Sequence, residues 1–436
     1  MERVRALIDR TPIDRGRRDM TTYRRDPATD PHLSFDPASV APYTLPAILR
    51  HADGSAVTDL DSWRAGRRLE ILDAFATHVY GCTPAAAAPM RVDVRQRDPQ
   101  ALDATATRSE IACVIGDGDT TATMTLLVYT PNGVDRAPAF LGFNFWGNHT
   151  VDPDPAITLP TGWMPDRPDK GVLDHRATAA GRGCMAHRWP LERILGRGYA
   201  VATAHYGDLS PDHEDKYRSG VYRLWYSETQ ARTPHLWGAI GVWAWGLSRA
   251  LDYLITDDRV DANRVAVLGH SRLGKTALWA AAQDTRFAMA IANNSGCGGA
   301  SLFRHTLGER LHVLARLRRY WFCPAFADYQ LAEHALPVDQ HMLLALIAPR
   351  PLYVASATQD HWADPVGEYL ATREAGTAYR LHGRAGLQTD RMPEPDRPVV
   401  GTVSYHLRTG GHDLTAYDWD QFMDAADEQM PKRATR

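Results

Sequence analysis

Apolar positions recur along this chain at two periods, which predict helices and strands respectively. Helical spacing predicts helices over 61–80, 235–255, 273–283 and 418–429. Alternating or continuous apolar runs predict strands over 111–114, 123–129, 139–145, 199–205, 264–268, 287–293, 352–358 and 402–408. The pair Asp117-Gly118 lies between the first two strands and predicts a hairpin turn. This alternation of strands and helices predicts a mainly parallel sheet covered on both faces.

The first hundred residues differ in composition from the rest of the chain. They are rich in Pro, Asp and Arg, and their apolar residues are too few for a separate core. We therefore expect residues 1–100 to form an N-terminal arm that packs on one catalytic domain, residues 101–436. A mostly helical insertion, over about 300–346, separates the strands predicted at 287–293 and 352–358.

Composition argues against several classes of function. With 436 residues and a formal net charge of -3, the chain has no general attraction to nucleic acid or to an anionic membrane. No run of eighteen apolar residues occurs. The five cysteines form no CxxC pair and no metal-ligand spacing, so we expect small buried thiols and neither disulfides nor a metal site. The oligomeric state stays open.

The first residues of the chain, Met-Glu-Arg-Val-Arg, mix acidic and basic side chains, and no apolar segment follows them. A secretory signal peptide would need such a segment. We therefore expect a cytoplasmic protein, or a secreted or periplasmic one if a leader has been removed.

Residues 265–275, Val-Ala-Val-Leu-Gly-His-Ser-Arg-Leu-Gly-Lys, carry the strongest chemical signal. An apolar strand runs into Gly269-His270-Ser271, and a predicted helix starts at once. This is the strand-turn-helix context of a nucleophile elbow, although Gly274 stands one position later than in the usual GxSxG pattern. The context predicts that Ser271 is a nucleophile and that the fold is a three-layer α/β-hydrolase.

A serine nucleophile needs a general base, and in α/β-hydrolases the chain order is serine, acid, histidine. Two histidines lie near the last predicted strand. His406 falls inside that strand, whereas His412 follows Thr409-Gly410-Gly411, a flexible segment that can bring it to the strand end. We expect His412 to be the base and His406 to be a core residue.

The acid of the triad has two candidate positions, one after strand 287–293 and one after strand 352–358. The first strand ends in Asn293-Asn294, with no carboxylate, while Asp360 and Asp364 follow the second. Asp360 is closer to the strand end and is the preferred acid. Asp364 precedes Pro365 and is better explained as a helix cap.

Two cations stand in the first turn of the helix after Ser271. Arg272 and Lys275 are both placed where the helix dipole disfavours positive charge, which indicates a function for each. A guanidinium beside the nucleophile can stabilise an oxyanion. Trp362, close to the candidate acid, can stack on a sugar ring or belong to the core.

These residues together resemble the glucuronoyl esterases, carbohydrate esterase family 15, and its bacterial members in particular. The resemblance covers most of the chain. It is carried by sequences over 269–275 (GHSRLGK), 293–299 (NNSGCGG), 348–351 (APRP), 360–365 (DHWADP), 411–415 (GHDLT) and 417–419 (YDW), and by 42–46 (PYTLP) and 78–81 (HVYG). Its Ser-Arg-x-Gly-Lys signature is specific.

The resemblance implies an α/β-hydrolase that cleaves esters between 4-O-methyl-glucuronate of xylan and alcohols of lignin. It implies Ser271 as nucleophile, His412 as base and Arg272 as oxyanion stabiliser. It also implies Lys275 as a ligand of the sugar hydroxyls, with Glu309 and Trp362 as further partners. No metal or organic cofactor is needed.

The chain departs from the family pattern at two positions. Fungal members have a cysteine before the serine, disulfide-bonded near the catalytic histidine, where this chain has His270. Many members carry Glu where this chain has Asn294, and this difference favours Asp360 as the acid. Two other functions stay open: an acetyl esterase acting on xylan or another glycan, and a carbohydrate-binding scaffold that has lost catalysis.

Overall fold

A computed structural model describes residues 30–214, 218–227 and 233–430. Its strands are β1 (Met90–Gln100), β2 (Ala106–Asp117), β3 (Thr120–Pro131), β4 (Ala137–Asn144), β5 (Val172–Leu173), β6 (Arg176–Ala177), β7 (Ala200–His205), β8 (Val260–His270), β9 (Met289–Asn293), β10 (Leu352–Ala357) and β11 (Val403–Arg408). Its α-helices are α1 (Leu60–Ser62), α2 (Arg68–Phe75), α3 (Leu191–Gly196), α4 (Ala239–Leu254), α5 (Arg272–Gln283), α6 (Leu311–Leu317), α7 (Gln340–Ala345), α8 (Pro365–Leu381) and α9 (Ala416–Gln429).

One large sheet organises the molecule, in the strand order β1-β2-β3-β7-β4-β8-β9-β10-β11. The pairs from β7 to β11 are parallel, whereas β1, β2 and β3 add to one side by antiparallel pairing. Strands β5 and β6 form a separate two-stranded ribbon. Because parallel strands end at the same edge, the carboxyl ends of β8 to β11 meet there, with His270 beside Asn293 and Ala357 beside Arg408.

Alternate residues of the central strands supply two apolar cores, one on each face of the sheet. In β8, Val265 and Val267 belong to the larger core, and Ala266 and Leu268 to the smaller. Helices α4, α5, α7 and α8 cover the larger core, and α3 and α9 cover the smaller. The three-layer α/β-hydrolase fold expected from the sequence is confirmed.

The N-terminal segment packs against the larger core. Helices α1 and α2 and two π-helical turns, Trp63–Arg67 and Ala76–Tyr80, form one continuous helical stretch where the sequence predicts a helix over 61–80. Fully buried Trp63, Phe75 and Tyr80 join it to that core. Residues 90–100, assigned above to the arm, form strand β1 and pair with β2. The sequence pattern missed this strand because most of its side chains are exposed, as on many edge strands.

The other elements agree closely with the predicted ones. The hairpin turn joins Asp117 of β2 to Thr120 of β3. The insertion consists of α6, α7 and short 3₁₀ turns such as Arg319–Trp321. Within the described residues, no helix is long and apolar enough to cross a membrane, and no group of three metal-ligating side chains occurs.

All five cysteines are unpaired. Three of them are buried, as the sequence predicts: Cys113, Cys297 and Cys323. The prediction of burial is wrong for Cys82, which is exposed, and for Cys184, which is half-buried.

Candidate active site

Ser271 lies at the turn between β8 and α5, at the carboxyl edge of the sheet. Its backbone has φ 57° and ψ -132°, a conformation that L residues rarely adopt. Such strain at one residue persists only where the surrounding structure holds it, and it is typical of functional sites. The Ser271 N–H donates to the carbonyl of Asn293 at 2.9 Å, which joins the turn to the end of β9.

Two glycines make this sharp turn sterically feasible. A Cβ on Gly269 would come within 1.9 Å of the Leu273 carbonyl oxygen, and a Cβ on Gly274 within 2.9 Å of the Ser295 side chain. The turn therefore needs glycine at both positions, although the second is one residue later than in the usual pattern. Helix α5 starts at Arg272, and the N–H groups of Gly274 and Lys275 donate to the Ser271 carbonyl at 2.8 and 3.3 Å, whereas the earlier N–H groups of Arg272 and Leu273 have no acceptor inside the helix.

Asp360 and His412 form a direct pair beside this turn. His412 Nδ1 lies 2.6 Å from Asp360 Oδ2. The Asp360 side chain is 4% exposed and that of His412 is 40% exposed, so the carboxylate is enclosed while the imidazole reaches the surface of the site. Burial raises the pKa of Asp360, but hydrogen bonds from His412 and Asn294 outweigh it and leave this pKa below its usual value.

His412 also lies next to the serine turn. Its ring centroid is 4.5 Å from that of His270, the residue before Ser271. His270 Nδ1 is 2.6 Å from Asn293 Oδ1, and burial keeps the pKa of His270 well below its usual value. A neutral imidazole, on the residue before Ser271, thus packs on His412. No hydrogen bond joins the Ser271 hydroxyl to another described residue.

Asn294 takes part in the site through Asp360. Its backbone has φ 48°, and its side-chain amide donates to Asp360 Oδ2 at 2.8 Å. The same carboxylate oxygen therefore meets both the amide and His412. Asn294 orients the acid that the neighbouring strand supplies.

Lys275, Glu309 and Trp362 form one connected group. The buried Lys275 ammonium contacts Glu309 Oε2 at 2.7 Å and donates to the carbonyl of Cys297. The indole N–H of Trp362 donates to Glu309 Oε1 at 3.1 Å. The structure thus brings together three residues that are separated by up to 87 positions in the sequence.

Arg272 is held against a different set of groups. Its Nη2 lies 3.0 Å from Asp212 Oδ2 and donates to the Tyr206 hydroxyl at 3.2 Å. The guanidinium carbon lies 4.7 Å from the Phe145 ring centroid and 5.5 Å from that of Trp321. Burial alone would lower the pKa of this guanidinium, but Asp212 raises it above its usual value, so Arg272 is charged throughout the ordinary pH range.

Asp364 and His406, the less favoured candidates for the acid and the base, lie in other surroundings. Asp364 accepts a hydrogen bond from the Gly367 N–H and caps α8, as the sequence predicts, and it also lies 2.7 Å from His305 Nδ1. His406 is fully buried and contacts Asp418 at 2.9 Å. Neither residue approaches the serine turn through any contact among the described residues.

Two carboxylates of the site, the half-buried Asp212 and the buried Glu368, were missed at the sequence level. Asp212 follows β7 in a loop without a motif. Glu368, on α8, accepts hydrogen bonds from the backbone of Ser295 and Gly296 and from the hydroxyl of Ser356, which joins the ends of β9 and β10. Burial raises the pKa of Glu368 to about 8 against the opposing effect of these donors. Neither position shows a spacing pattern that could have identified it.

Comparison with known proteins gives a consistent family assignment. A model of the family described as "Glucuronyl esterase, fungi" matches residues 188–383. Carbohydrate esterase MZ0003, from an unknown prokaryotic organism, is 42% identical over 400 residues, which are 91% of this chain and 92% of that protein. A fungal relative, 4-O-methyl-glucuronoyl methylesterase 1 of Phanerochaete chrysosporium, is 34% identical over 218 residues, 46% of this chain and 45% of its own.

Solved structures similar to this chain belong to the same family. A promiscuous CE15 esterase from the marine bacterial metagenome has a TM-score of 0.87 at 43% identity and covers 91% of this chain and 100% of its own. A glucuronoyl esterase from Solibacter usitatus has a TM-score of 0.84 at 42% identity and covers 89% and 99%. These matches confirm the resemblance inferred from the sequence. The chain therefore belongs to the glucuronoyl esterase family, carbohydrate esterase family 15.

Proposed function

We propose that this protein is a serine esterase that hydrolyses esters of glucuronate and 4-O-methyl-glucuronate, as found in links between glucuronoxylan and lignin alcohols. The observation that carries the proposal is the strained backbone of Ser271, φ 57°, directly after His270, whose ring contacts His412 of the His412–Asp360 pair. The names of its relatives, 4-O-methyl-glucuronoyl methylesterases and glucuronoyl esterases, support the same reaction.

In the first step the Ser271 oxygen attacks the ester carbonyl carbon while His412 Nε2 takes the hydroxyl proton. Asp360 holds Nδ1 and stabilises the imidazolium that forms, because its own pKa is low enough to keep it ionised. The tetrahedral intermediate collapses when His412 gives its proton to the leaving alcohol. Its products are a glucuronoyl-serine ester and the free alcohol.

In the second step water attacks that ester, and His412 again acts first as base and then as acid. The negative charge on the carbonyl oxygen develops twice. The Arg272 guanidinium and the first N–H groups of α5 are the donors that would meet it, and one such donor is worth about 3 kcal/mol of transition-state stabilisation.

The connected group of Lys275, Glu309 and Trp362 supports recognition of the acyl sugar. An ammonium and a carboxylate can bind neighbouring hydroxyls, and an indole can stack on the apolar face of a pyranose. The Lys275–Glu309 contact of 2.7 Å fixes both groups before substrate arrives. Such a site favours a uronate acyl group over an acetyl group, which has no hydroxyls to bind.

Steady-state hydrolysis of methyl and benzyl glucuronate, compared with p-nitrophenyl acetate and acetylated xylan, tests this proposal. We expect a higher kcat/KM for the glucuronate esters. Ser271→Ala should abolish turnover of every ester without loss of the fold, and Lys275→Ala should raise KM for the glucuronate esters alone. Retention of more than about a tenth of activity by Ser271→Ala would exclude it as nucleophile.

An acetyl esterase acting on xylan or another glycan is the second candidate. It is favoured by one observation: the similar enzyme from the marine metagenome is described as promiscuous. A higher kcat/KM for acetylated xylan than for glucuronate esters would replace the first proposal by this one.

A further inference from the structure

The loop after β7 and the insertion meet at a carboxylate that the proposed mechanism does not use. This carboxylate is Asp212. One of its oxygens, Oδ2, contacts Arg272 Nη2 at 3.0 Å and accepts from the Tyr206 hydroxyl at 2.9 Å. The other oxygen, Oδ1, accepts from the Trp321 indole at 2.7 Å and from the Tyr320 hydroxyl at 2.9 Å.

Asp212 is therefore fixed before it meets Arg272. Three neutral donors from two distant parts of the chain leave its carboxylate little rotational freedom. Tyr206 is bound on both sides, since it accepts from Arg272 and donates to Asp212. Burial raises the pKa of Asp212, but Arg272 and these donors keep it below its usual value.

The Arg272 guanidinium is fixed in turn on one edge and on its faces. Its hydrogen bonds to described residues all use Nη2, while rings of Phe145, Tyr206 and Trp321 lie 4.7 to 5.5 Å from its central carbon. A negative group beside an oxyanion-binding cation weakens the field at the oxyanion. Asp212 offsets this loss because it orients the Arg272 guanidinium. Without such a partner an arginine side chain would sample many rotamers.

We propose that Asp212 is a positioning residue for Arg272, and that the insertion contributes to catalysis by fixing Asp212 through Tyr320 and Trp321. This inference rests on the proposed function, in which Arg272 meets the developing oxyanion. It assigns a role to part of the insertion without requiring that part to touch substrate. Loss of Asp212 should then act on the transition state rather than on substrate binding.

The chain offers a matched control at the opposite edge of the sheet. Asp257, shortly before β8, contacts Arg259 at 2.7 Å and accepts from the Tyr253 hydroxyl at 2.9 Å. Like Asp212 it pairs with an arginine and accepts from a tyrosine hydroxyl, although no indole donates to it, and it lies at the amino end of the strand whose carboxyl end leads to Ser271. A purely structural role would make Asp212→Asn and Asp257→Asn behave alike.

The experiment measures kcat, KM and Tm of the full-length protein on methyl glucuronate for wild type, Asp212→Asn, Asp257→Asn, Arg272→Ala and Asp212→Asn/Arg272→Ala. We expect Asp212→Asn to lower kcat by about 10- to 100-fold with KM nearly unchanged, a smaller loss than deletion of an oxyanion donor. Asp257→Asn should lower Tm by a similar amount and leave kcat unchanged. The double variant should lose no more than Arg272→Ala, because Asp212 acts only through that arginine.

Trp321→Phe keeps a ring over Arg272 and removes one donor to Asp212, so it tests the same idea if Asp212→Asn fails to fold. It should lower kcat by a few-fold, and this loss should vanish in the Arg272→Ala background. Unchanged kcat in Asp212→Asn, or losses that multiply in the double variant, would overturn the inference. A wild type that does not cleave methyl glucuronate would instead overturn the proposed function, and this inference with it.

Discussion

Two histidines six residues apart in this chain, His406 and His412, each contact an aspartate, but the two pairs have opposite surroundings. His406 contacts Asp418 at 2.9 Å with both side chains fully buried, and its other ring nitrogen lies 3.0 Å from the Tyr353 hydroxyl. His412 contacts Asp360 at 2.6 Å, and its side chain is 40% exposed. The pair alone therefore does not distinguish a core contact from a catalytic one.

The second nitrogen of each ring makes the difference. In His406 the Tyr353 hydroxyl occupies the second nitrogen, Nδ1, so neither ring nitrogen is free to accept a proton from a substrate or a nucleophile. In His412 no described residue occupies Nε2, and the ring packs on the residue before Ser271. A histidine can serve as a general base only where one nitrogen is oriented and the other is accessible to the nucleophile.

The largest expected effect comes from His412→Gln. Because glutamine cannot take the serine proton, kcat on methyl glucuronate should fall by about a million-fold, as on removal of the base of a serine triad. Tm should stay close to that of wild type, since this side chain is partly exposed. Steady-state kinetics and thermal melts check both expectations, and substantial remaining turnover would exclude His412 as the base.

Asp360→Asn should have the next largest effect. The amide can favour the wrong tautomer of His412 and cannot stabilise the imidazolium, so kcat should fall by up to about ten-thousand-fold. KM should change little. Asn294→Ala is the comparison variant: it removes one donor to Asp360 but keeps the charge, so its loss in kcat should be much smaller. Near-normal turnover by Asp360→Asn would mean that another carboxylate orients His412.

His406→Gln is the matched counterpart of His412→Gln in the buried pair. It should lower the free energy of unfolding by about 1–3 kcal/mol, because Asp418 or Tyr353 loses a buried hydrogen-bond partner. The kcat of the folded fraction should be unchanged. Urea titration and active-site-normalised kinetics separate the two effects. A loss of kcat comparable to that of His412→Gln would contradict the structural role of His406.

The smallest expected effect concerns a histidine without a carboxylate partner. His149 is buried with no partner among the described residues, and burial and Arg182 lower its pKa to about 4. As pH falls from about 6.5 to about 4, unfolded chains bind a proton that folded His149 does not, so stability should decrease in that window. His149→Gln should flatten the dependence measured by urea titrations at several pH values. An unchanged slope would show that other groups determine it.

The sequence predicted most of the sheet and a triad of Ser271, His412 and Asp360, and the structure pairs His412 with Asp360 next to the turn that carries Ser271. Ser271 was identifiable because strand, glycine turn and helix follow one another directly, and the triad order then led to His412 and Asp360. Strand β1 was missed because edge strands do not alternate cleanly between core and solvent. Whether a local pattern or distant packing determines an element decides whether the sequence alone can reveal it.

Asp212 is a residue whose surroundings depend on distant packing. Its partners are Arg272, 60 positions away, and Trp321, 109 positions away, so no window of sequence contains the arrangement. The same holds for Glu309, which only the family resemblance identified. Residues whose role is to position another side chain carry no motif of their own.

Residues 30–35 lie next to the Lys275, Glu309 and Trp362 group that is proposed to bind the sugar. The Gly308 N–H donates to the Ser34 carbonyl at 2.9 Å, one residue before Glu309, and the Phe35 ring lies 6.4 Å from that of Trp362. Asp30 contacts His312 at 3.0 Å and fastens this segment to the insertion. We therefore expect proteolytic cleavage between residues 36 and 60 to weaken binding of a polysaccharide more than it slows hydrolysis of small activated esters.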